Sequence, residues 1–172
     1  MILKTFKDIQ VVFLDVDGVL TDGTILVPES GEQLRTFNVK DGYAMQMAIK
    51  KGLELIVITG GRSIGVKKRL EGLGIKEVHL HVSDKLSLML TIAKERGFDL
   101  EKCMFVGDDV PDYACMERVG LAACPRDAVE DIKEVSDYIS PYDGGKGVVR
   151  DVLEKCLKLK GLWPLCDHTK SI

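Results

Sequence analysis

The chain has 172 residues, of which 45% are hydrophobic and 30% charged, and its formal net charge is −3. This composition fits one globular domain with a hydrophobic core and excludes a disordered or fibrous protein. The small negative charge provides no basic surface for nucleic acid or anionic lipid. No apolar stretch approaches the ~20 residues of a transmembrane helix, and the first residues lack a signal-peptide pattern. We therefore expect a cytoplasmic protein with neither nucleic acid nor membrane as a partner.

The cysteines and histidines do not indicate a disulfide framework or a zinc site. The number of cysteines is odd and none are spaced C-x-x-C, which predicts reduced thiols. His79 and His81 are two residues apart without a third ligand near them in the sequence, and we interpret them as strand-surface residues. The cysteines are Cys103, Cys115, Cys124, Cys156 and Cys166.

Apolar runs alternate with helical patterns along most of the chain, which predicts an α/β fold. The expected architecture is a Rossmann-like parallel sheet with helices on both faces. We predict strands at 11–14, 53–58, 77–82, 103–106, 121–124 and 137–139. We predict helices at 43–51, 64–73, 85–96, 111–119, 128–135 and 147–159.

One segment interrupts the alternation after the first strand. Residues 24–27 and 32–39 read as two strands joined by a turn at 28–31, which predicts a small β-hairpin insert spanning about 23–39. The whole of 1–161 is expected to form a single domain. Residues 162–172 lack a periodic pattern, and we expect a disordered tail there.

Two carboxylates follow the first predicted strand, at the sequence Val-Val-Phe-Leu-Asp15-Val-Asp17-Gly18. Val16 points to the opposite face, so Asp15 and Asp17 are expected on the same side of the sheet. Two like charges at this spacing need a cation or a proton between them. The pair is therefore a candidate for metal-assisted phosphoryl chemistry.

Polar groups follow three further strands, and in a parallel sheet such groups meet at one edge. Thr59 and Gly60 lead into a helix N-terminus, which binds anions through its free N–H groups and the helix dipole. Lys85 starts a helix, where a cation is unfavourable, so we expect it to have an anionic partner. Asp108, with its acidic neighbours, follows the last of these three strands, which is the fourth predicted strand of the chain.

This set of residue types indicates a phosphate ester and a hard cation. Carboxylates hold Mg²⁺, which keeps several waters. A lysine, a hydroxyl and backbone N–H groups suit a phosphoryl group. Each group has an ordinary explanation by itself, since Asp109 or Asp112 could be a helix cap. The four groups in chain order, all at carboxyl ends of strands, favour the catalytic interpretation.

The order and spacing of these groups resemble the four motifs of the haloacid dehalogenase-like phosphatase superfamily. The motifs are Asp15-Val16-Asp17-Gly18, Thr59-Gly60, Lys85 and Gly107-Asp108-Asp109-x-x-Asp112. The resemblance covers about residues 8–158. No large cap domain separates the motifs. The hairpin, the run 38–43 and the run 58–63 resemble the capless subgroup that hydrolyses the 8-phosphate of the eight-carbon sugar acid 3-deoxy-D-manno-octulosonate, a step toward lipopolysaccharide.

The resemblance implies a role for each motif residue. Asp15 would be the nucleophile that forms an aspartyl-phosphate, and Asp17 the general acid and then the general base. Mg²⁺ would be held by Asp15, the backbone carbonyl of Asp17, and Asp108. The remaining roles are contact with the metal ligands for Asp109 and Asp112, and phosphate binding for Thr59, Gly60 and Lys85.

The resemblance also implies a homotetramer in which neighbouring subunits complete one another's sites. The hairpin would pair strands between subunits. Arg62 and Arg69 would meet the carboxylate of the substrate from two different subunits, next to Gly61. Residues 142–147 resemble a flexible segment that closes over the site, although they could equally be a plain loop before the last helix.

Three other functions remain open from the sequence. Relatives that act on the 9-phosphate of a nine-carbon sialic-acid-type sugar share the four motifs but carry Glu and Lys where this chain has Gly61 and Gly72, which favours the eight-carbon substrate. A phosphoacceptor receiver module would carry its phosphorylated Asp after the third strand, whereas this chain has its D-x-D after the first. A catalytically silent scaffold is disfavoured because the motif residues are intact.

Overall fold

Six parallel strands form one sheet in the computed structural model, which describes residues 2–164. The order across the sheet is β3-β2-β1-β4-β5-β6, and every neighbouring pair is parallel. The expected Rossmann-like arrangement is thereby confirmed. The strands are β1 Val11–Leu14, β2 Glu54–Ile58, β3 Glu77–His79, β4 Cys103–Val106, β5 Leu121–Cys124 and β6 Tyr138–Ile139.

Helices cover both faces of the sheet, as predicted. The α-helices are α1 Ile2–Asp8, α2 Val39–Lys50, α3 Ile64–Gly72, α4 Lys85–Arg96, α5 Tyr113–Met116, α6 Glu130–Val135 and α7 Val148–Leu159. Apolar residues of α2, α3 and α7 share one buried cluster, and those of α4, α5 and α6 share the other. In the part of the chain that the structure describes, no helix is long and apolar enough to span a bilayer.

The central strand β1 shows why the sheet is buried on both sides. Val12 and Leu14 belong to the first apolar cluster, whereas Val11 and Phe13 belong to the second. Successive side chains point to opposite faces, so a strand covered on both faces must be a continuous apolar run. This explains why β1 carries no polar residue until Asp15.

The sheet topology brings the candidate site together. The chain runs from β1 outward to β2 and β3 and then returns to β4 on the other side of β1. Ligands of such sheets bind beyond the carboxyl ends of the strands at this switch point. Leu14 at the end of β1 is in register with Val57 of β2 and Val106 of β4, so the residues that follow these strands lie side by side.

The predicted hairpin insert is present only in a reduced form, because its two arms, predicted at 24–27 and 32–39, are not strands. The turn exists, since the Gly31 N–H donates to the Pro28 carbonyl at 2.9 Å, but the only pairing within this segment is one antiparallel bridge between Leu26 and Leu34. A two-stranded ribbon is marginal in water without a surface to pack against. The strand predicted to reach 39 also ends early, because Asn38 caps α2 through the Lys40 N–H at 2.8 Å.

Several other boundaries differ from the predictions. The strand predicted at 77–82 ends at His79, because the backbone is left-handed at His81, with φ 57°, and its N–H donates to the Gly61 carbonyl. The helix predicted at 111–119 is a 3-10 turn followed by the short α5, and α1 was not predicted. Cys103, Cys115, Cys124 and Cys156 are buried free thiols, as expected, whereas Cys166 lies outside the described residues.

The predicted tail falls only partly within the described residues. Trp163 packs edge-on against Tyr43, with ring centroids 6.2 Å apart, and the Arg150 guanidinium lies 4.5 Å from its ring centroid. This indole therefore belongs to the packed part of the chain, contrary to a tail that begins at 162. Residues 165–172 lie outside the described part.

Candidate active site

A buried lysine joins two acidic motifs at the carboxyl end of the sheet. The Lys85 ammonium lies 2.9 Å from Asp15 Oδ1 and 2.7 Å from Asp112 Oδ1. The second oxygen of Asp112 accepts the Asp108 N–H at 3.1 Å, which ties the two acids of the fourth motif together. The expectation that Lys85 needs an anionic partner is confirmed.

Burial raises the pKa of every carboxyl group in this cluster. Burial raises the pKa of Asp15 to about 7, and the charge of Asp112 adds to the effect. The pKa of Asp108 is raised to about 8 by burial and then by Asp15 and Asp112. Burial lowers the pKa of Lys85, but the two carboxylates more than offset it, so the pKa lies above its ordinary value and the lysine stays charged.

The carboxylates have the composition and spacing of a divalent cation site. Ligand oxygens of Asp15, Asp108 and Asp112 all lie within 4.8 Å of one another. Asp108 Oδ1 is buried and has no hydrogen-bond partner. A buried carboxylate oxygen without a donor is costly, and Lys85 neutralises only part of the negative charge. The residues therefore fit a hard cation with oxygen ligands.

Gly18 makes this arrangement sterically possible. Its backbone is left-handed, with φ 88°, and a Cβ at this position would lie 1.9 Å from Asp108 Oδ2. No side chain other than hydrogen fits against Asp108 here. The glycine of the D-x-D-G motif thus lets the loop after β1 approach the loop after β4.

Thr59 directly follows β2, and its hydroxyl is held in one orientation. Thr59 is buried, and its Oγ1 accepts the Gly61 N–H at 3.1 Å. A hydroxyl that accepts this bond keeps its own hydrogen free to donate to a ligand. Gly60 follows directly, and a Cβ at this position would lie 3.7 Å from the Val82 carbonyl oxygen. Ser63 caps α3 three residues further on.

Asp17 has a partner that the motifs did not predict. The Arg35 guanidinium binds both Asp17 oxygens, with Nε 2.6 Å from Oδ1 and Nη2 3.0 Å from Oδ2. This contact joins the loop after β1 to the segment that was predicted to be a hairpin. The pKa of Arg35 is raised by its hydrogen bond to Asp17.

The remaining predicted residues lie farther from the buried acids. Asp109 is exposed and caps the short turn Val110–Asp112 through the Val110 N–H at 2.8 Å. Arg62 is exposed and lines a cavity of about 420 Å³ with Arg35, whereas Arg69 lies exposed against Gly42 of α2. Arg69 is not among the residues that line this cavity.

The segment 142–147 packs on the loop that carries the acids. The Gly145 N–H donates to the Val19 carbonyl at 2.9 Å, and a Cβ on Gly144 would lie 1.8 Å from the Gly18 carbonyl oxygen. The two glycines thus allow close contact between backbones. In this structure the segment buttresses the loop after β1.

These features define the class of protein. A parallel sheet with an acid pair after its central strand, a hydroxyl, a buried lysine and a second acidic cluster is the arrangement of a haloacid dehalogenase-like hydrolase. A family model with that description matches residues 77–151. The longest connection of the described chain, between β1 and α2, contains no large cap domain.

Comparison of the whole chain identifies the family within this class. The 3-deoxy-D-manno-octulosonate 8-phosphate phosphatase KdsC of Escherichia coli K12 is 35% identical over 160 residues, covering 93% of this chain and 85% of that protein. The chain belongs to the family of 3-deoxy-D-manno-octulosonate 8-phosphate phosphatases, as the motifs predicted.

Solved structures agree with this assignment. The 3-deoxy-D-manno-octulosonate 8-phosphate phosphatase of Moraxella catarrhalis, in complex with a magnesium ion, a phosphate ion and KDO, superposes with a TM-score of 0.90 at 35% identity and covers 93% of this chain and 92% of its own. The cobalt-bound enzyme of Haemophilus influenzae superposes with a TM-score of 0.87 at 30% identity, over 91% of this chain and 92% of its own.

Proposed function

We propose that this protein is a Mg²⁺-dependent phosphatase that hydrolyses 3-deoxy-D-manno-octulosonate 8-phosphate in lipopolysaccharide precursor synthesis, in the cytoplasm. The observation that carries the proposal is the cluster that buried Asp15, Lys85 and Asp112 form with half-buried Asp108 at the switch point of the sheet. The family relationship supports the substrate, since relatives of this name are 35% identical in sequence and share the fold.

Asp15 is the proposed nucleophile. It directly follows the central strand β1, is buried, and its Oδ1 lies 2.9 Å from the Lys85 ammonium. Its oxygen attacks phosphorus, and the bond from phosphorus to the sugar oxygen breaks, which leaves an aspartyl-phosphate. The positive charge of Lys85 favours the ionised carboxylate that this attack requires.

Asp17 is the proposed proton donor and acceptor. It gives a proton to the departing sugar oxygen, and in the second step it takes one from the attacking water. Its side chain is 33% exposed, so water reaches it, whereas Asp15 lies deeper in the site. The difference in burial matches the different roles of the two acids.

The phosphate is proposed to bind between the second and third motifs. The Thr59 hydroxyl, the backbone around Gly60 and the Lys85 ammonium provide donors for its oxygens. Asp15, the Asp17 backbone carbonyl and Asp108 would hold Mg²⁺, with Asp109 and Asp112 behind them. When bound, the cation neutralises repulsion between the carboxylate and the phosphate.

We also propose that four copies assemble and complete one another's sites. The site is open, and the segment before α2 exposes large apolar side chains to solvent. These are Ile25, Leu26, Val27 and Leu34, and Val39 at the first position of α2 joins them; all are more than 40% exposed. Such a patch is typical of an interaction surface. In the assembly, Arg62 and Arg69 of different copies would meet the carboxylate of the substrate beside Gly61.

The proposal is tested by phosphate release from the eight-carbon 8-phosphate and from the nine-carbon 9-phosphate, each with Mg²⁺ and with EDTA. We expect Mg²⁺-dependent turnover with preference for the first substrate. Asp15→Asn should abolish it, because an amide cannot attack phosphorus. Asp8→Asn is the matched control, since Asp8 is exposed and precedes β1 at the opposite end of the sheet.

The outcomes separate the parts of the proposal. Preference for the nine-carbon substrate would reject the substrate and keep the mechanism. Full activity of Asp15→Asn would reject the nucleophile. If the unmodified protein turned over neither substrate, the proposed phosphatase activity would be rejected and the catalytically silent scaffold would be favoured.

A further inference from the structure

Arg35 makes a two-point contact with Asp17 that uses all of its nitrogen positions. Nε and Nη2 lie 2.6 Å and 3.0 Å from the two Asp17 oxygens, and Nη1 donates to the Gln33 carbonyl at 3.0 Å. A planar guanidinium bound to both oxygens of a carboxylate fixes the plane of that carboxylate. The third bond fixes the guanidinium itself to the backbone of its own segment.

The two partners differ in exposure. The Arg35 side chain is 5% exposed, whereas that of Asp17 is 33% exposed. The Arg35 side chain is therefore largely covered, whereas part of the Asp17 side chain stays open to water. Gly61 borders the pair, since a Cβ there would lie 3.5 Å from Asp17 Oδ2 and 3.7 Å from Arg35 Nη2.

Little else in the structure orients Asp17. It lies in the irregular connection after β1, and its side chain has no hydrogen-bond partner besides Arg35 among the described residues. The nucleophile differs, because Asp15 is buried and held by Lys85. Freedom of the Asp17 side chain would be costly in a proton transfer that requires one orientation.

We propose that Arg35 is a positioning residue that fixes the Asp17 carboxylate for the second half of the reaction. This inference rests on the proposed function. In that half, the oxygen of a water attacks phosphorus, one water proton passes to an Asp17 oxygen, and the bond between phosphorus and the Asp15 oxygen breaks. The products are inorganic phosphate and the free Asp15 carboxylate, and the electron pair of the broken bond returns to Asp15. Arg35 holds the accepting oxygen toward the open side, where the water enters.

The test separates the two steps with p-nitrophenyl phosphate, whose leaving group needs little help from an acid. We expect Arg35→Gln to lower kcat by about 10- to 100-fold, as loss of orientation does. Its kcat/KM should stay within about threefold, because that ratio reports only the steps through formation of the aspartyl-phosphate. Stopped-flow traces should show a burst of p-nitrophenol approaching one per site, followed by slow turnover.

Two further variants keep the test independent of folding. Arg35→Lys retains the charge but not the two-point contact, so it should show the same burst with a smaller loss of kcat. Arg96→Gln is the matched control, because Arg96 pairs with Glu54 and Glu77 at the edge of the sheet remote from the site and should behave as the unmodified protein. Thermal unfolding of each variant shows whether it is folded.

Three results would overturn the assignment. A parallel fall of kcat and kcat/KM without a burst would show a role in the first step or in folding only. A raised KM with unchanged kcat would make Arg35 a substrate ligand. Unchanged kinetics in Arg35→Gln would show that Asp17 needs no positioning. If the unmodified protein released no phosphate, the proposed function would be wrong, and this assignment would fall with it.

Discussion

Gly18 lets the first and fourth motifs lie in contact because it has no side chain. Alanine at this position would require a left-handed backbone, with φ 88°, and would place Cβ 1.9 Å from Asp108 Oδ2. Asp108 would have to move away from Asp15. We therefore expect Gly18→Ala to weaken Mg²⁺ activation and to lower kcat by about 100-fold, because Asp108 can no longer reach its position. A titration of activity with Mg²⁺ measures both effects.

Gly31 offers a control with the same backbone conformation. Its φ is 81°, but a Cβ there would meet nothing within 4 Å. Gly31→Ala should therefore cost only the strain of the backbone, about 1 kcal/mol of unfolding free energy, and leave Mg²⁺ activation unchanged. If Gly18→Ala and Gly31→Ala had equal effects on Mg²⁺ activation, the requirement for glycine at position 18 would not come from its contact with Asp108.

The raised pKa values of Asp15 and Asp108 predict how pH affects the metal-free protein. The folded values are about 7 and about 8, compared with an ordinary value of 3.8. Between these limits the folded protein binds more protons than the unfolded chain, so the free energy of unfolding falls as pH rises from about 4 to about 8. A series of melting temperatures in EDTA measures this fall.

Mg²⁺ should restore the free energy of unfolding that is lost at high pH, because it binds the ionised carboxylates. The rise in melting temperature on adding Mg²⁺ should therefore be larger at pH 8 than at pH 5. Asp108→Asn removes one of the charges and should reduce both the pH dependence and the response to Mg²⁺. A response to Mg²⁺ that is equal at the two pH values would contradict the carboxylate cluster as the binding site.

Single residues differ in how far the sequence predicted them. Asp15, Thr59 and Lys85 were identifiable because each directly follows a strand or begins a helix, so the fold alone places them at one edge. Arg35 was not identified, because it lies 18 residues from Asp17 in a segment with no regular pairing. The signal that the sequence offered was Arg35 itself, a charged residue next to the apolar Leu34 in the long connection that follows the first motif.

At the scale of the elements, Asp41 joins α2 to the start of α7. Its Oδ1 accepts the Arg150 N–H at 2.7 Å, and Gly147 offers α7 no side-chain cap of its own. Asp41→Ala would leave this half-buried N–H group without its partner, so we expect a loss of about 2 kcal/mol in unfolding free energy. Denaturant unfolding measures it.

Asp84 provides the comparison for Asp41. It is exposed and caps only its own helix α4, through the Ser87 N–H at 2.9 Å. Asp84→Ala should cost about 1 kcal/mol or less, as a local cap does. Equal losses for the two variants would show that Asp41 acts as an ordinary cap and does not couple the two helices.

The elements also show what limits prediction from the sequence. Helix α4 and strands β1, β4 and β5 were predicted with their observed bounds. The strands are marked by buried apolar runs, and the helix is marked by its helical periodicity and its capping residues. The two strands predicted before α2 were wrong, because their prediction depended only on the alternation of apolar and polar residues. Pairing there depends on what covers the ribbon, and a single sequence does not contain that information.

At the scale of the whole molecule, the fold and the location of the site were both predictable, for one physical reason. Alternating strands and helices permit few arrangements other than a parallel sheet with right-handed crossovers. Such a sheet collects the residues that follow its strands at one edge. The set of residues that line the cavity beside Arg35 and Arg62 was not predictable from the sequence. It depends on the irregular segment before α2 and, under the proposed assembly, on a second copy.

The proposed tetramer can be tested through the apolar side chains that the segment before α2 exposes. Leu26 is 68% exposed beside its bridge to Leu34, and a carboxylate in its place would be costly to bury between subunits. We expect a tetramer in sedimentation and dissociation of the Leu26→Asp variant, with loss of activity on the sugar phosphate. Ile139→Asp is the control at the β6 edge, where Ile139 is 45% exposed, and should remain tetrameric and active. A Leu26→Asp variant that is monomeric but fully active would separate assembly from catalysis and reject shared sites. A monomeric unmodified protein would reject the tetramer itself.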